Sequence, residues 1–108
     1  MQKPKWPTLK HRRAIVDAVD AWADENEEVE VLLIGCDDER ANYAPAIIGV
    51  TQYPRVAVVY IMSKLIECFM HVNKWTHETA AEWLDYNVVR ALPYYAKNGP
   101  ILVEDLHV

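Results

Sequence analysis

One stretch, residues 56–92, constrains the fold of this chain more than any other. It begins as a continuous apolar run, VAVVYIM, continues as an amphipathic segment, and restarts after a polar break. A short apolar run is typical of a buried strand, and apolar residues spaced by three and four indicate a helix facing a core. The stretch therefore predicts a strand followed by two helices, to which the other elements are added.

The two predicted helices each have a residue suited to capping the first turn. Ser63 precedes a helix over residues 64–72, and Thr76 precedes a second helix that Pro93 ends. The second helix has an inward stripe of Ala80, Trp83, Leu84, Asn87, Val88 and Ala91.

A further helix is predicted ahead of this unit, over residues 9–25, with Thr8 as its N-cap. Residues 1–7 contain two prolines and predict an extended arm, pinned by Trp6. The predicted inward face comprises Ile15, Ala18, Val19 and Trp22, with Ala14 and Ala23 at its edges. Cations begin this helix and acids end it, an order that opposes the helix dipole by about a few tenths of a kcal/mol per group. That order hints that these charges face something other than their own helix.

Apolar segments also predict strands at residues 28–35, 46–50, 56–60 and 101–104. The second and third of these are close enough in sequence to form an antiparallel hairpin. Gly49 marks a bulge or a close approach of another group. The resulting order, α-β-β-β-α-α-β, predicts an α+β fold: a small antiparallel or mixed four-stranded sheet with helices packed on one face.

Length and composition limit the class of protein. A chain of 108 residues, 52% of them apolar or aromatic, predicts a single domain with a core, not a disordered chain. No apolar run approaches the roughly 20 residues of a membrane helix, and the N-terminus lacks a secretory signal. Cys36 and Cys68 lie in or beside apolar runs, which indicates reduced core thiols and a cytoplasmic protein.

The charges are distributed unevenly. Residues 17–39 hold ten acidic residues and no Lys or Arg, a local charge of -10 in a chain of net charge -5. Spaced carboxylates can substitute electrostatically for phosphates, so the run predicts binding to a protein with a basic surface, such as a groove that normally holds nucleic acid. Direct nucleic-acid binding requires clustered cations, which only the first 13 residues offer. The predicted partner-binding carboxylates are Asp17, Asp20, Asp24, Glu27 and Glu28.

Aromatic residues in loops add candidate anchors for the same partner. Tyr94 and Tyr95 follow Pro93, and exposed aromatics are favoured at interfaces. A homo-oligomer, formed by pairing of an apolar edge strand between copies, is a further alternative.

No catalytic or cofactor signature stands out in the sequence. Cys68, His71 and His77 are not accompanied by a second ligand pair, whereas a structural zinc site needs about four ligands. Dinucleotide, phosphate-loop, serine-hydrolase and HExxH motifs are missing from the sequence. We therefore expect no cofactor, no metal and a binding role in preference to catalysis.

The alternative to a protein-binding role is a small-molecule-binding protein or a hydrolase. Asn87 falls on the predicted inward stripe, and a buried amide needs hydrogen-bond partners. Asn87 and Tyr60 would then line a pocket between the sheet and the helix.

Short pieces of sequence follow a definite order from residue 46 onward. They are Ala46-Ile47-Ile48-Gly49, Val59-Tyr60, Leu65-Ile66-Glu67, Thr76, Ala80, Glu82-Trp83, Tyr86-Asn87-Val88-Val89 and Gly99-Pro100-Ile101. In this pattern the chain resembles a group of small, uncharacterised proteins of phages and of bacterial genomes carrying phage-derived genes. The resemblance transfers no activity and no site residue, and Tyr43-Ala44-Pro45 stands where the similar proteins carry acids. The resemblance implies a phage or prophage accessory protein that acts in the host cytoplasm. Together with the acidic run, it makes a basic, nucleic-acid-handling component of host defence the first target to test.

Overall fold

Four helices and a three-stranded sheet make up the α+β fold of the described residues, which in this computed structural model are 6–26, 31–95 and 98–106. The helices are α1 (Leu9–Glu25), α2 (Arg40–Tyr43), α3 (Met62–Asn73) and α4 (His77–Leu84), and the strands are β1 (Ile47–Thr51), β2 (Ala57–Ile61) and β3 (Ile101–Val103). A π-helical segment, Asp85–Val89, continues α4, and 3-10 turns occupy Asp37–Glu39, Ala44–Ala46 and Leu92–Tyr94. None of the helices in the described ranges is long and apolar enough to cross a membrane.

The sheet is mixed, with β2 between β1 and β3. β1 and β2 form the predicted antiparallel hairpin, in which Val50 lies opposite Val58, and β3 pairs with β2 in parallel. The register shifts between Ile47 and Gly49, which confirms the bulge predicted there. A Cβ atom added to Gly49 would meet open space, so close approach is not the reason for this glycine.

The prediction of four strands is wrong for the described residues, and the predicted element order changes with it. Residues 31–36 form no strand. The amide of Leu32 donates to the carbonyl of Asn98 at 3.2 Å, and the amide of Ile34 donates to the Tyr60 hydroxyl at 3.0 Å. These separate bonds satisfy two amides of the segment without a ladder. The segment is apolar because Ile34 enters the core and Val31 and Leu33 pack against it. Residues 28–30 of the predicted strand lie outside the described residues.

The core lies between the helices and the face of the sheet that carries Val58 and Tyr60. Burying each large apolar side chain stabilises the fold by roughly 1.5–3 kcal/mol. The largest fully buried side chains are Tyr60, Phe69, Leu65, Leu84, Val58 and Cys68.

Helix α1 has the predicted bounds and the predicted cap. The Thr8 hydroxyl oxygen accepts a hydrogen bond from the His11 amide at 3.1 Å. Trp6 makes the contact expected of it, because its ring stacks on His71 with centroids 4.1 Å apart. Residues 1–5 of the predicted arm lie outside the described residues.

The buried face of α1 matches the predicted one only in part, with Val19 buried and Ile15 and Trp22 partly buried. Val16 and Val19 are buried, whereas Ala18, predicted to face inward, is exposed. Val16 packs in a small cluster with Ala41 and Ala44, in and directly after α2. Helical spacing alone permits a buried face with Ala18 or one with Val16. The packing of α2 against α1 determines that the face with Val16 is buried.

The predicted N-cap is correct for α4 and wrong for α3. Thr76 caps α4 by accepting a hydrogen bond from the Thr79 amide at 3.2 Å. α3 begins at Met62 without a side-chain cap, and the Ser63 hydroxyl instead donates to the Asp105 carboxylate at 2.9 Å. Ser63 therefore ties the start of α3 to the segment after β3.

Thr76→Ala is expected to lower the free energy of unfolding by about 1 kcal/mol, because the first turn of α4 loses its capping oxygen. Thr76→Ser keeps that oxygen and is the matched control, for which we expect little change. Urea unfolding followed by circular dichroism measures both. Equal stability of the two variants would contradict the capping role.

The two cysteines occupy different environments. Both are free thiols, and Cys68 is buried whereas Cys36 is exposed. The prediction of a core thiol is therefore confirmed for Cys68 and wrong for Cys36, which precedes the 3-10 turn Asp37–Glu39.

Candidate acidic interaction surface

Arg40 joins two acidic segments that are separate in sequence. Its guanidinium donates to both carboxylate oxygens of Asp20, at 3.3 and 3.4 Å, which ties α2 to α1. Its Nε donates to the Asp37 carbonyl oxygen at 3.3 Å, which ties α2 to the 3-10 turn Asp37–Glu39. The acids of α1 and those of the turn therefore lie on neighbouring elements.

We define the acidic surface as the exposed carboxylates of these two segments. Its members are Asp17, Asp24, Glu25, Asp37, Asp38 and Glu39. Within the described ranges, none of the six forms an ion pair. Their charges are therefore directed toward solvent, where a cationic partner can reach them.

The predicted partner-binding carboxylates fall into three groups. Asp17 and Asp24 are exposed on α1, as the prediction requires. Asp20 is partly buried and is paired with Arg40, so its charge is partly neutralised within the fold. Glu27 and Glu28 lie outside the described residues.

Four members of the acidic surface were missed as site residues, although they belong to the acidic run. Glu25 and the turn Asp37–Glu39 are exposed, and Arg40 ties the turn to the helix that carries the predicted carboxylates. The run itself was the signal that could have identified them. What the sequence could not show is that Arg40, directly after the run, would draw its two ends together.

The acidic turn has a defined backbone geometry. Gly35 has φ 97° and Asp37 has φ 47°, and the Glu39 amide donates to the Cys36 carbonyl at 2.9 Å. A Cβ atom added to Gly35 would lie 3.0 Å from the Glu39 carbonyl carbon. Only glycine therefore fits at position 35, and the turn presents its carboxylates from a constrained backbone.

The predicted tyrosine anchors differ in exposure. Tyr94 is 90% exposed at the end of the 3-10 turn Leu92–Tyr94, whereas Tyr95 is half-buried. Tyr94 is available to a partner, but it lies on a different element from the acidic surface.

The prediction that Asn87 faces inward is wrong, and the basis for a pocket shared with Tyr60 is lost with it. Asn87 is exposed, and its side-chain amide donates to the Trp83 carbonyl at 3.0 Å. Tyr60 is fully buried, and its hydroxyl oxygen accepts from the Ile34 amide. One residue thus belongs to the surface and the other to the core.

The π-helical segment explains why Asn87 turns outward. The Arg90 amide donates to the Asp85 carbonyl at 3.1 Å, a bond that spans five residues and widens the turn. The buried stripe consequently keeps a spacing of four, through Ala80, Leu84 and Val88. A regular helix would have placed position 87 closer to the core.

Aromatic residues that were predicted to face inward, or were not singled out as site residues, are exposed along α4 and the π-helical segment. Trp83 is 38% exposed, and Tyr86 is 63% exposed with the Arg90 guanidinium 4.1 Å from its ring centroid. Trp, Tyr and Arg are the residue types that contribute most to binding at protein interfaces. The exposed side of α4 and the π-helical segment is therefore a second surface of interest.

No known protein family, curated protein or solved structure matches this chain. The resemblance to phage proteins therefore stays a prediction. The fold and the exposed carboxylates define a class, a small α+β protein with an acidic surface.

Proposed function

We propose that this is a small binding protein that docks its acidic surface on a basic surface of another protein. The observation that carries the proposal is that Arg40 holds two acidic segments together. These two segments expose six carboxylates. Such a surface attracts cationic partners over distances of about 10 Å at moderate salt, and the association is fast and salt-sensitive.

The partner we propose is a host protein whose basic groove normally holds nucleic acid. Carboxylates presented at intervals replace phosphates in such a groove, so docking there inhibits the host protein by competition. The resemblance to phage and prophage proteins supports a host defence component as the first choice, with a role for the chain as a phage or prophage accessory protein in the host cytoplasm.

Charge reversal on α1 tests this proposal. The combined variant Asp17→Lys, Asp24→Lys, Glu25→Lys is expected to weaken binding to the basic partner by about tenfold or more, because three carboxylates become cations at the contact. Asp20 is left unchanged, so that its ion pair with Arg40 and the packing of α2 are kept.

A matched control carries the same change in net charge at another place. Glu78→Lys, Glu82→Lys, Glu104→Lys alters three exposed carboxylates outside the acidic surface. Partners captured from host lysate at low and high salt are purified and titrated with both variants and with competing DNA. Equal loss of affinity in the two variants would show that net charge, and not this surface, drives the binding. Unchanged affinity of the α1 variant would refute the proposal.

A further inference from the structure

The exposed face of α1 sorts its charges by sign along the helix. Lys10 and Arg13 are exposed in the first half, and Asp24 and Glu25 are exposed at the end. The helix has 17 residues and is therefore about 25 Å long. Opposite charges are thus separated over most of its length.

This order is not explained by the stability of α1 itself. The first turn contains no acid and the last turn contains no basic residue, which is the reverse of what the helix dipole favours. The first charged residues on this face are also not paired with the last, because the two ends of one helix cannot meet.

The middle of the same face is small and uncharged apart from Asp17. Ala14, Ala18 and Ala21 are all exposed, and they leave room for the backbone of another helix to approach closely. Asp17 shares a shallow depression with Lys10 and Arg13, which lie two turns and one turn before it on the helix.

We propose that this face pairs with the same face of a second copy of this chain, antiparallel and about a two-fold axis near Asp17. In that arrangement Lys10 and Arg13 of each copy lie opposite Asp24 and Glu25 of the other. A two-fold axis repeats the complementary contact, so both ends of the helix pair are satisfied at once. A parallel pairing would place like charges together at both ends, whereas the antiparallel pairing brings like charges together only at Asp17, where Lys10 and Arg13 of the same helix line the same depression.

The expected dimer is weak and salt-sensitive. A single pair of helices of this length buries less than the roughly 1,200–2,000 Å² of a standard stable interface. Charge pairs at its two ends contribute mainly orientation and association rate, and salt screens them. The population of dimer therefore depends on protein concentration and on ionic strength.

Self-pairing would regulate access of a partner to the acidic surface. This regulation rests on the proposed function, whereas the pairing itself does not. Asp17, Asp24 and Glu25 belong both to the acidic surface and to the proposed helix contact. A basic partner and a second copy therefore compete for them, and the monomer is the form that binds the partner.

A charge-swap series measured by sedimentation tests the pairing. Lys10→Glu, Arg13→Glu makes both ends of the face acidic, and Asp24→Lys, Glu25→Lys makes both ends basic. Each variant alone is expected to lose at least about tenfold in dimer affinity relative to the wild type at low salt. An equimolar mixture of the two is expected to form a heterodimer, and one chain carrying all four substitutions is expected to form a homodimer again.

Several results would overturn the pairing. They are a monomeric wild type at low salt and about 1 mM protein, undiminished dimerisation of either two-residue variant, and failure of both the mixture and the four-residue variant to associate.

Circular dichroism of each variant confirms that α1 remains folded. Lys10→Glu, Arg13→Glu keeps all six members of the acidic surface, so loss of its dimer with retained partner binding separates the two proposals. Loss of partner binding in that variant would instead contradict the competition between partner and second copy.

Discussion

Phe69→Ala is expected to lower the free energy of unfolding by about 3–5 kcal/mol. Phe69 is 1% exposed in α3, and its ring lies 4.6 Å from the Tyr43 ring and 4.8 Å from the Trp83 ring, centroid to centroid. Truncation removes its apolar area from the core and leaves a cavity between two aromatic neighbours. A domain of this size is stable by only about 5–15 kcal/mol, so the loss is a large share of the total.

Urea unfolding followed by circular dichroism and tryptophan fluorescence measures this effect. Ile48→Ala, at a side chain 57% exposed on β1, is the control and should change stability by less than about 0.5 kcal/mol. Phe69→Leu retains most of the volume and should fall between the two. A loss of stability in Phe69→Ala as small as that in Ile48→Ala would contradict the aromatic packing between α3 and α4.

Stability is expected to fall steeply at alkaline pH, beginning near pH 9. Burial raises the pKa of the Cys68 thiol from 9.0 to about 12. Burial also raises the pKa of Tyr60 far above its ordinary value, and the pKa of Tyr43 is raised by burial and by the nearby charge of Glu39. Between the ordinary and the raised pKa, the unfolded chain loses protons that the folded chain keeps. Unfolding is thereby favoured as pH rises, by up to about 1.4 kcal/mol per pH unit for each group.

Urea titrations from about pH 7 to pH 11 test this prediction through the slope of stability against pH. Cys68→Ala removes one of the three groups and is expected to flatten the slope above pH 9, whatever its cost at neutral pH. Tyr60→Phe should flatten the slope above pH 10 and should also cost about 1–3 kcal/mol at neutral pH, because the Ile34 amide loses its acceptor. A wild-type stability that stays level from pH 9 to pH 11 would mean that these groups are not buried.

The parts of the fold that depend on local chemistry could be predicted from the sequence. The bounds of α1 and the caps Thr8 and Thr76 follow from the backbone needs of a first helical turn, which neighbouring residues satisfy. The hairpin of β1 and β2 follows from the short connection between two apolar segments.

The parts that depend on distant residues could not be predicted. An apolar run indicates burial, but it does not reveal whether the backbone pairs in a ladder or bonds singly, as at Leu32 and Ile34. The inward position of Asn87 followed from assuming a regular helix, and one bond from Arg90 to Asp85 changes the turn. The hydrogen bond of Ser63 could not be predicted either, because its partner Asp105 is 42 residues away in the sequence.

The candidate site shows the same division. The carboxylates are visible in the sequence as a run, and so is the charge order along α1. The loss of Asp20 to an internal ion pair, and the joining of α1 to the acidic turn, both depend on Arg40 reaching across to another helix. Sequence reasoning therefore located the charge, and the fold determined which carboxylates are available.

The parallel pairing of β3 with β2 has a consequence for biosynthesis. In the finished sheet Val59 of β2 lies opposite Ile101 of β3. Until β3 has been synthesised, β2 is therefore paired on one edge only, with β1. Such an edge can recruit strands from other nascent chains. The sheet therefore cannot close before β3 has been synthesised, and crowding on polysomes or a shortage of chaperones during that interval favours aggregation through the open edge of β2.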